Sequence, residues 1–554
     1  MQTFRTFALT GMILTIVFAI IAAIGIYRLK RSIQLHGCVS FVRNHYRMFL
    51  VLLFMAFLAT RLFRIDQIPA GIHIDELSSV VDAKSIMDHG SDRFGVRYPV
   101  YLQNFGGGQN VLFCYVQVLL FHFLPFTIKA FRIQAVLWGA LCFLATFGIC
   151  YELTEDKAWA LAGPFLVTTL PVYIMSERWG LESYLLLPFC TFTMYYVIRA
   201  VKYGKMRDWF LAGLIMGVSL YTYAISYIVW PIFLILAGAY LLYIKRINIK
   251  QIIIAVVPLI ILATPLILFQ LVNLGLIPEF STAISDYRRL PERRETEIGV
   301  SNILWNLVHY YPKMFFEQDS MAYNSFREFG PIYWFLVPFI AVGLVVCIID
   351  LIVSLRKKEF LTSAPVVFFW LSATICMLVI KAPNINKVNE LFLPFVVFIV
   401  IATFRLFNKD MLFEGWLVLF NCISFVVFIY FYFFIQSTDY GPNELFTSSS
   451  PARAIRICSQ NYLKDDDTHI YALLEDETIE PYMQVYFFAG EAGEVYSDDV
   501  PTYGRVSAYF PEEFDINENA IYIIGDNWPH ITSYLVSVGF SQDQSLPGYS
   551  ILYR

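Results

Sequence analysis

Two adjacent carboxylates, Asp75 and Glu76, stand in the segment AGIHIDELSS, shortly after a hydrophobic run. Neighbouring carboxylates at a membrane surface can hold a metal ion, or can accept a proton from a hydroxyl group as a general base does. A solvated acidic pair that caps a helix has the same spacing, so the residue types alone favour neither interpretation. Both residues are candidates for catalysis.

A second group of ionisable side chains lies between two hydrophobic runs, in the segment PVYIMSERWGLESY. It contains Glu177, Arg178 and Glu182. Charged groups at the edge of a bilayer are costly to bury unless they are paired or used in function. Arg178 and Glu182 are therefore candidate site residues, and an ion pair between them that only fixes a turn is the structural alternative.

Two segments supply candidate phosphate-binding cations. Arg288 and Arg289 lie in DYRRLPERRETE, and Lys381 and Lys387 lie in KAPNINKVNELFLPF. A guanidinium group binds phosphate in bidentate geometry, and a lysine neutralises it as a point charge. A lipid phosphate or pyrophosphate would fit these cations. The arginines are equally compatible with a solvated stripe paired to nearby glutamates, and the lysines with side chains that only reach towards water.

Two other segments are less specific. Tyr221 and Tyr223, in YTYA, are candidate substrate contacts, although aromatic residues are common where a helix meets the membrane surface. The segment FGGGQN, at 105–110, lacks the preceding strand and the following lysine of a phosphate-binding loop. It therefore predicts a flexible hinge.

The elements that carry these residues are membrane helices and the loops between them. Twelve hydrophobic runs are long enough to span roughly 30 Å of hydrocarbon. They lie near 7–27, 48–64, 131–151, 158–175, 183–201, 209–225, 227–244, 251–270, 331–353, 364–380, 388–407 and 412–435.

Short basic connectors orient these runs. All of them fall on one side when each run counts as one crossing, and the positive-inside rule makes that side cytoplasmic. They are the segments 27–47, 199–208, 245–250, 355–360 and 404–410. The apolar segment 111–126 is short and would break this agreement if it crossed, so we expect a re-entrant or interfacial helix there.

This topology predicts three parts. Residues 1–47 form an N-terminal helix and a basic cytoplasmic loop, and the helix lacks a convincing small-residue cleavage site, so we expect it to be retained. Residues 48–436 form the transmembrane domain, with external loops at 65–110 and 271–330. Residues 437–554 form a soluble domain on the same external face.

The tail 437–554 is acidic and alternates strand-like with helix-like segments. HIYALL, GEVYS, AIYIIGD and SILYR predict strands, while EPYMQVYFFAG and WPHITSYLVSVGF predict helices. Such alternation indicates a small α/β domain. The expected fold is thus an α-helical polytopic membrane protein with a C-terminal extracytoplasmic α/β domain.

Composition excludes several functional classes. Of the 554 residues, 58% are hydrophobic and 15% are charged, against about 25% charged in an ordinary soluble domain. Lipid must therefore solvate part of the surface. The net charge of −4 and the dispersed basic residues argue against a nucleic-acid partner. The nine cysteines show neither metal-ligand spacing nor a disulfide framework.

These segments together resemble the GT-C glycosyltransferases of family 39 type, which include protein O-mannosyltransferases and the aminoarabinose transferases of lipid A. The matching elements run in the same order: IDE, AFRIQAVLWGAL, the pattern P-x-x-x-x-S-x-R-x-G-L-E, YTYA and the turn NINKVN. The resemblance covers about 48–440 and implies a GT-C-like transmembrane bundle. Lys387 stands where bacterial relatives often have arginine.

The resemblance also implies roles for individual residues. Asp75 would be the general base for an inverting displacement, with Glu76 and Glu182 as further acidic positions of the site. Arg178, together with Arg288 or Lys387, would stabilise the leaving phosphate. Some relatives bind a divalent ion near the acidic pair, where His73 could contribute, but the sequence commits to no metal.

The expected function is transfer of a sugar from a polyprenyl-phosphate-linked donor to an extracytoplasmic glycan, lipid or protein, at the outer face of a bacterial plasma membrane. The alternative is a transporter or flippase of a lipid-linked sugar or polymer. A flippase should carry polar residues in the middle of the membrane, whereas here they cluster in the outer loops. The sugar, the acceptor, the oligomeric state and the role of the C-terminal domain do not follow from the sequence.

Overall fold

The computed structural model describes residues 36–69, 71–104, 107–292, 298–315, 329–407, 411–435, 446–447, 468–473, 483, 502–503, 506–507, 519–544 and 549–554. Helices dominate these residues. They are His36–Asn44, Tyr46–Leu62, Ile74–His89, Leu112–Phe121, Ile128–Thr154, Lys157–Ala160, Ala162–Thr169, Pro171–Ser176, Leu186–Tyr203, Met206–Ser219, Ser226–Tyr243, Ile249–Asn273, Ile303–Trp305, Val337–Lys357, Ala364–Val379, Phe392–Phe407, Met411–Tyr430 and Pro529–Ser537.

Within the described ranges, seven helical stretches are long and apolar enough to cross a membrane. They are Ile128–Thr154, Glu182–Tyr203, Ser226–Tyr243, Ile249–Asn273, Trp334–Lys357, Asn389–Leu406 and Gly415–Ile435. Each coincides with a predicted run. Their length and apolar composition fit an integral membrane protein.

The remaining predicted runs differ in length or lie outside the described residues. The run 7–27 is outside them. Three runs correspond to shorter helices, Tyr46–Leu62, Met206–Ser219 and Ala364–Val379. The run 158–175 is broken into short helices, because Leu170 is extended before Pro171 (ψ 135°), as a proline disfavours helical backbone in the residue before it.

The ambiguous segment 111–126 contains the ten-residue helix Leu112–Phe121. At about 1.5 Å per residue it is about 15 Å long, half of the hydrocarbon thickness. It packs against the helix Ile74–His89 and shares a buried apolar core with it. The structure therefore agrees with a segment that does not cross.

The C-terminal strands form one sheet. Within the described ranges the strands are β1 (Ile72–His73), β2 (Tyr101–Asn104), β3 (Gly107–Asn110), β4 (Phe280–Ser281), β5 (Asp286–Tyr287), β6 (Phe446–Thr447), β7 (His469–Leu473), β8 (Thr502–Tyr503), β9 (Val506–Ser507), β10 (Ala520–Gly525), β11 (Ser541–Asp543) and β12 (Tyr549–Tyr553). The sheet order is β11-β12-β10-β7-β9-β8, with β10 parallel to β7 and antiparallel to β12.

This sheet and the helix Pro529–Ser537 confirm the predicted α/β domain. The predicted segments HIYALL, AIYIIGD, SILYR and WPHITSYLVSVGF have the expected structure. The predicted strand GEVYS lies outside the described residues, as does the predicted helix EPYMQVYFFAG apart from Met483.

Both faces of the C-terminal sheet are covered. Because side chains alternate along a strand, Tyr522 and Ile524 pack with the helix Pro529–Ser537, while Ile521 and Ile523 share an apolar core with the helix Ile74–His89. The C-terminal domain therefore packs directly on the helix Ile74–His89. Strand β6 strengthens this connection, because it pairs with β1 immediately before that helix.

Candidate functional site

Asp75 is the second residue of the helix Ile74–His89, which we call the site helix. A reciprocal capping box fixes its start: the Asp75 amide donates to Nδ1 of His73 at 3.0 Å, and the His73 amide donates to Oε2 of Glu76 at 2.9 Å. The Asp75 side chain remains 36% exposed. The carboxylate is thus held on a rigid element while one side stays open to solvent.

His73 lies beside Asp75, with Nδ1 3.6 Å from Oδ2 of the carboxylate. Burial lowers the pKa of His73, and this effect outweighs the attraction of Asp75 and Glu76. Since Nδ1 already accepts the Asp75 amide, the ring is neutral and protonated on the other nitrogen. The contact between the two side chains is therefore not an ion pair.

A β-hairpin, β2 to β3, covers Asp75 and is called the site hairpin. Asn104 Nδ2 donates to Oδ1 of Asp75 at 3.2 Å. The orientation of Asn104 is set by Arg93, which lies 3.5 Å from its Oδ1 and forms a buried ion pair with Asp82 at 2.9 Å. Oδ1 of Asp75 thus accepts a hydrogen bond from Asn104, which is itself held by Arg93. Oδ2 of Asp75 does not take part in this bond.

The site hairpin also corrects the hinge predicted for FGGGQN. Gly107–Asn110 pairs with Tyr101–Asn104 in an antiparallel ladder, so a strand does precede the glycines. A Cβ atom at Gly108 would overlap the ring of Tyr101. This glycine therefore permits close packing of the hairpin rather than free movement.

Glu182 belongs to the same region, because its Oε2 accepts the Asn110 amide of the site hairpin at 2.6 Å. It is only partly buried. The structure therefore brings Glu182 and Asp75 to opposite ends of one hairpin. The alternative ion pair between Glu182 and Arg178 is absent from the contacts of the described residues.

Glu76 differs from the predicted role of a catalytic acid. It is fully buried and forms an ion pair with Arg132 at 2.9 Å. Its other oxygen accepts the Gly180 amide at 2.5 Å. Since both oxygens are engaged inside the protein, this carboxylate anchors the site helix to its surroundings and does not face a substrate.

Arg178 also differs from its predicted role. It is fully buried. Its guanidinium group donates to four backbone carbonyls, two in the last turn of the helix Tyr46–Leu62 and two in the segment that follows this helix. These acceptors are the carbonyl oxygens of Thr60, Arg61, Phe63 and Ile68. Because its donors are used in this way, Arg178 has no group left to neutralise a leaving phosphate.

Arg178 acts together with two other buried arginines: Arg61, which the sequence interpretation missed, and Arg132, whose segment AFRIQAVLWGAL it quoted without assigning a role. Arg61 pairs with Glu177 at 2.6 Å, and Arg132 donates to the carbonyls of Ile65, Pro69 and Gly71 as well as to Glu76. The three guanidinium groups hold residues 60–71, which lead into Asp75. A charged residue at the end of a hydrophobic run was the signal that could have revealed Arg61.

Lys387 lies in the turn 381–387, here called the lysine turn, and this turn is tied to the site. The side chains of Ser183 and Asn386 are hydrogen-bonded, and Asn389 Nδ2 donates to the Ser183 carbonyl at 2.9 Å. Ser183 follows Glu182 directly. Lys387 is half-buried, whereas Lys381 at the start of the turn is exposed.

Arg288 and Arg289 follow β5 and are exposed. Arg289 Nε donates to the Val272 carbonyl at 3.2 Å, and Arg288 lies 3.9 Å from Asp286. The next residue, Leu290, approaches the site hairpin at Gly108. The two arginines are therefore connected to Asp75 only indirectly. Leu290, beside them, contacts the site hairpin, and the hairpin in turn contacts Asp75.

The two tyrosines have unequal positions. The Tyr221 hydroxyl donates to the Leu262 carbonyl at 2.7 Å, and its own carbonyl accepts the Leu112 amide. Tyr221 thus links three elements, while Tyr223 is half-buried beside it. Neither contact requires a substrate, so their predicted binding role stays a prediction.

A divalent metal near Asp75 finds no ready set of ligands. In the described part of the chain, no three His, Cys, Asp or Glu side chains lie close enough to hold a metal ion. His73 uses Nδ1 to accept the Asp75 amide, and Glu76 is bound to Arg132.

Comparison with known proteins agrees with this architecture. A family model described as dolichyl-phosphate-mannose-protein mannosyltransferase matches residues 109–269. No curated protein is significantly similar in sequence.

Two crystal structures of ArnT from Cupriavidus metallidurans are similar in fold. The apo form has a TM-score of 0.56 and 11% identity, covering 92% of this chain and 98% of that chain. The form bound to undecaprenyl phosphate has a TM-score of 0.54 and 10% identity, covering 91% and 97%. At this identity the likeness establishes the fold, and the chain is an integral membrane protein with the GT-C architecture that its sequence resembles.

Proposed function

We propose that this protein is a membrane glycosyltransferase that takes a sugar from a polyprenyl-phosphate-linked donor and transfers it, with inversion, to an extracytoplasmic acceptor. The observation that carries the proposal is Asp75, a partly exposed carboxylate on a rigid helix start within a GT-C fold. The similar ArnT structure with undecaprenyl phosphate supports a polyprenyl-phosphate donor. Hexosyl and pentosyl donors are both compatible with this chemistry.

In the proposed reaction, Asp75 accepts the proton of the acceptor hydroxyl as its oxygen attacks the anomeric carbon. The bond between the sugar and the phosphate oxygen breaks on the opposite face, and the electron pair leaves with the polyprenyl phosphate. The hydrogen bond from Asn104 occupies Oδ1 of Asp75 and leaves Oδ2 as the proton acceptor. Glu182 keeps the site hairpin in place through the Asn110 amide.

The leaving phosphate needs positive charge, because negative charge develops on it in the transition state. With Arg178 committed to carbonyls, we assign this role to Lys387, whose turn is bonded to the residue after Glu182. Lys381, Arg288 and Arg289 would attract the anionic headgroup at the edge of the site. The acceptor class, whether a glycan, a lipid or a protein, is left to experiment.

We place the site and the C-terminal domain on the outer face of a bacterial plasma membrane. The basic connectors support this orientation, since their positive charges favour the cytoplasmic side. The buried contact between the C-terminal sheet and the site helix supports a location of both on the same face of the membrane.

The test is transfer of radiolabelled sugar from a panel of hexosyl and pentosyl polyprenyl-phosphate donors, in membranes containing wild type, Asp75→Asn or Asp88→Asn. Asp88 is the matched control, because it lies at the far end of the same helix, where its carboxylate pairs with Lys84. We expect Asp75→Asn to lose transfer by at least about 100-fold, as removal of a general base does, and Asp88→Asn to retain it.

Two outcomes would overturn the proposal in different ways. Undiminished transfer by Asp75→Asn would move the base to another residue. No transfer from any donor by the wild type, together with movement of a lipid-linked sugar across reconstituted vesicles, would instead support the transporter alternative.

A further inference from the structure

An unexpected apolar surface lies in the loop 271–330, which the hydropathy pattern places in water. Residues 303–314 form a continuous helical stretch, which we call the interface helix. Four of its large apolar side chains are exposed: Leu304 by 75%, Trp305 by 58%, Leu307 by 46% and Val308 by 64%. A contiguous apolar surface of this kind marks an interaction site.

The interface helix is fixed at the end of an apolar helix. Asn306, on its opposite side, is buried, and Nδ2 donates to the carbonyls of Leu378 and Ile380 at 2.9 and 2.6 Å. These carbonyls end the apolar helix Ala364–Val379. The hydropathy pattern predicts that helix as a membrane span, so we expect its end, and the interface helix bonded to it, at the level of the bilayer surface.

The same segment is joined to the lysine turn. The Gly299 amide donates to the Val379 carbonyl at 2.6 Å, and Asn302 Nδ2 lies 3.5 Å from the Lys381 carbonyl. Ile298 and Ile380 form an antiparallel bridge. The position of the interface helix therefore fixes the position of the start of the lysine turn.

We propose that the interface helix inserts Leu304, Trp305 and Val308 into the adjacent lipid leaflet and so holds Lys381 at the level of the phosphate headgroups. Lipid is the occupant that the charges favour, since Lys313 and Lys381 flank the apolar residues and headgroups carry phosphate. Trp305 stacks on His309 with ring centroids 3.5 Å apart, an amphipathic aromatic pair suited to this boundary. Insertion itself does not depend on the proposed reaction.

The test is spin labelling of single cysteines introduced as Leu304→Cys and Val308→Cys in protein reconstituted into nanodiscs of phosphatidylcholine and phosphatidylglycerol. The control is Val536→Cys, because Val536 is an apolar residue, 44% exposed, on the helix of the C-terminal domain. The unsubstituted protein gives the background from native cysteines. We expect collisions with oxygen to exceed collisions with a soluble nickel complex at 304 and 308, and the reverse at 536.

Three results would overturn the proposal. Greater access of the nickel complex at 304 and 308 would place these residues in water. Spin-spin broadening that disappears on dilution with unlabelled protein would show a second copy on this surface. Protection from both quenchers that is lost when polyprenyl phosphate is removed would show that the donor chain covers it.

A second experiment measures KM for sugar transfer and rests on the proposed transferase activity. The double variant Leu304→Ser with Val308→Ser should raise KM several-fold for a long-chain donor in the membrane. Its KM for a short-chain, water-soluble donor should stay near that of the wild type, and Val536→Ser should change neither. An equal rise in KM for both donors would contradict a role of the interface helix in presenting the membrane-bound donor. The spin-label result would remain valid in that case.

Discussion

The contact between Asn104 and Asp75 allows a direct test of the proposed base through its pH dependence. In Asn104→Asp, the amide that donates to Oδ1 of Asp75 at 3.2 Å becomes a second carboxylate. Two negative charges about 4 Å apart repel by about 1 kcal/mol in water and about 4 kcal/mol at an effective dielectric constant of 20. Since each pH unit corresponds to about 1.36 kcal/mol, the repulsion alone would move the acidic limb of the pH profile for transfer upward by about 1–3 pH units.

The neighbouring charges reduce this shift. Arg93 lies 3.5 Å from Oδ1 of Asn104 and would attract the new carboxylate, although it is already paired with Asp82. His73 is neutral, so it adds little opposing charge, and Glu76 is neutralised by Arg132. We therefore expect the acidic limb of the pH profile for transfer to move upward by about one unit, at the low end of that range.

The measurement is the rate of sugar transfer across the pH range in membranes adjusted to equal protein content. Asn104→Leu is the matched control: it removes the hydrogen bond without adding charge, so the plateau should fall while the acidic limb moves far less. The reasoning would be refuted if Asn104→Asp kept both the wild-type plateau and the wild-type acidic limb. That result would mean that the site hairpin does not contact the base during the reaction.

Three further predictions concern the scaffold. Glu76→Gln should lower the free energy of unfolding by about 3–5 kcal/mol, because Arg132 would lose its buried charge partner; thermal unfolding in detergent would show this, and an unchanged melting temperature would contradict it. Gly108→Ala should cost about 1–3 kcal/mol, because its Cβ would overlap the ring of Tyr101, and this cost should be smaller when it is introduced into Tyr101→Ala, which lacks that ring. Burial raises the pKa of Asp92 from 3.8 to about 6, so its contribution to stability is present at low pH and lost as the pH rises through about 6. Asp92→Asn, which keeps the oxygen that accepts two loop amides, should therefore be more stable than wild type at neutral pH by up to about 3 kcal/mol, and the difference should vanish below about pH 4.

The sequence predicts the elements well where the signal is local. Hydrophobic runs locate the membrane helices, because about twenty apolar residues are needed to cross a bilayer. Short apolar runs rich in isoleucine and tyrosine locate β10 and β12 in the C-terminal sheet, because β-branched and aromatic side chains favour strands. These signals do not depend on which other element a residue meets.

The sequence predicts the site less well because its partners are distant or lack a side-chain signature. Arg178 bonds to carbonyls of residues 60–68, which any sequence would supply, so nothing in its own segment distinguishes it from a phosphate ligand. Glu76 meets Arg132 from another helix. The packing of Ile521 and Ile523 on the site helix is likewise a long-range contact.

The buried charges explain how Asp75, the proposed base, can be held in a fixed position. A buried ion pair contributes little net stability, because desolvation offsets the attraction between the charges, yet loss of one partner is strongly destabilising. We infer that Arg61 and Arg132, through these pairs, and Arg178, through its bonds to carbonyls, act mainly to exclude other arrangements of the chain before Asp75. Glu177 is paired with Arg61 and Glu76 with Arg132, whereas the side chain of Asp75 is 36% exposed. A carboxylate held this way has little orientation left to lose when an acceptor binds, and such preorganisation lowers the barrier to proton transfer.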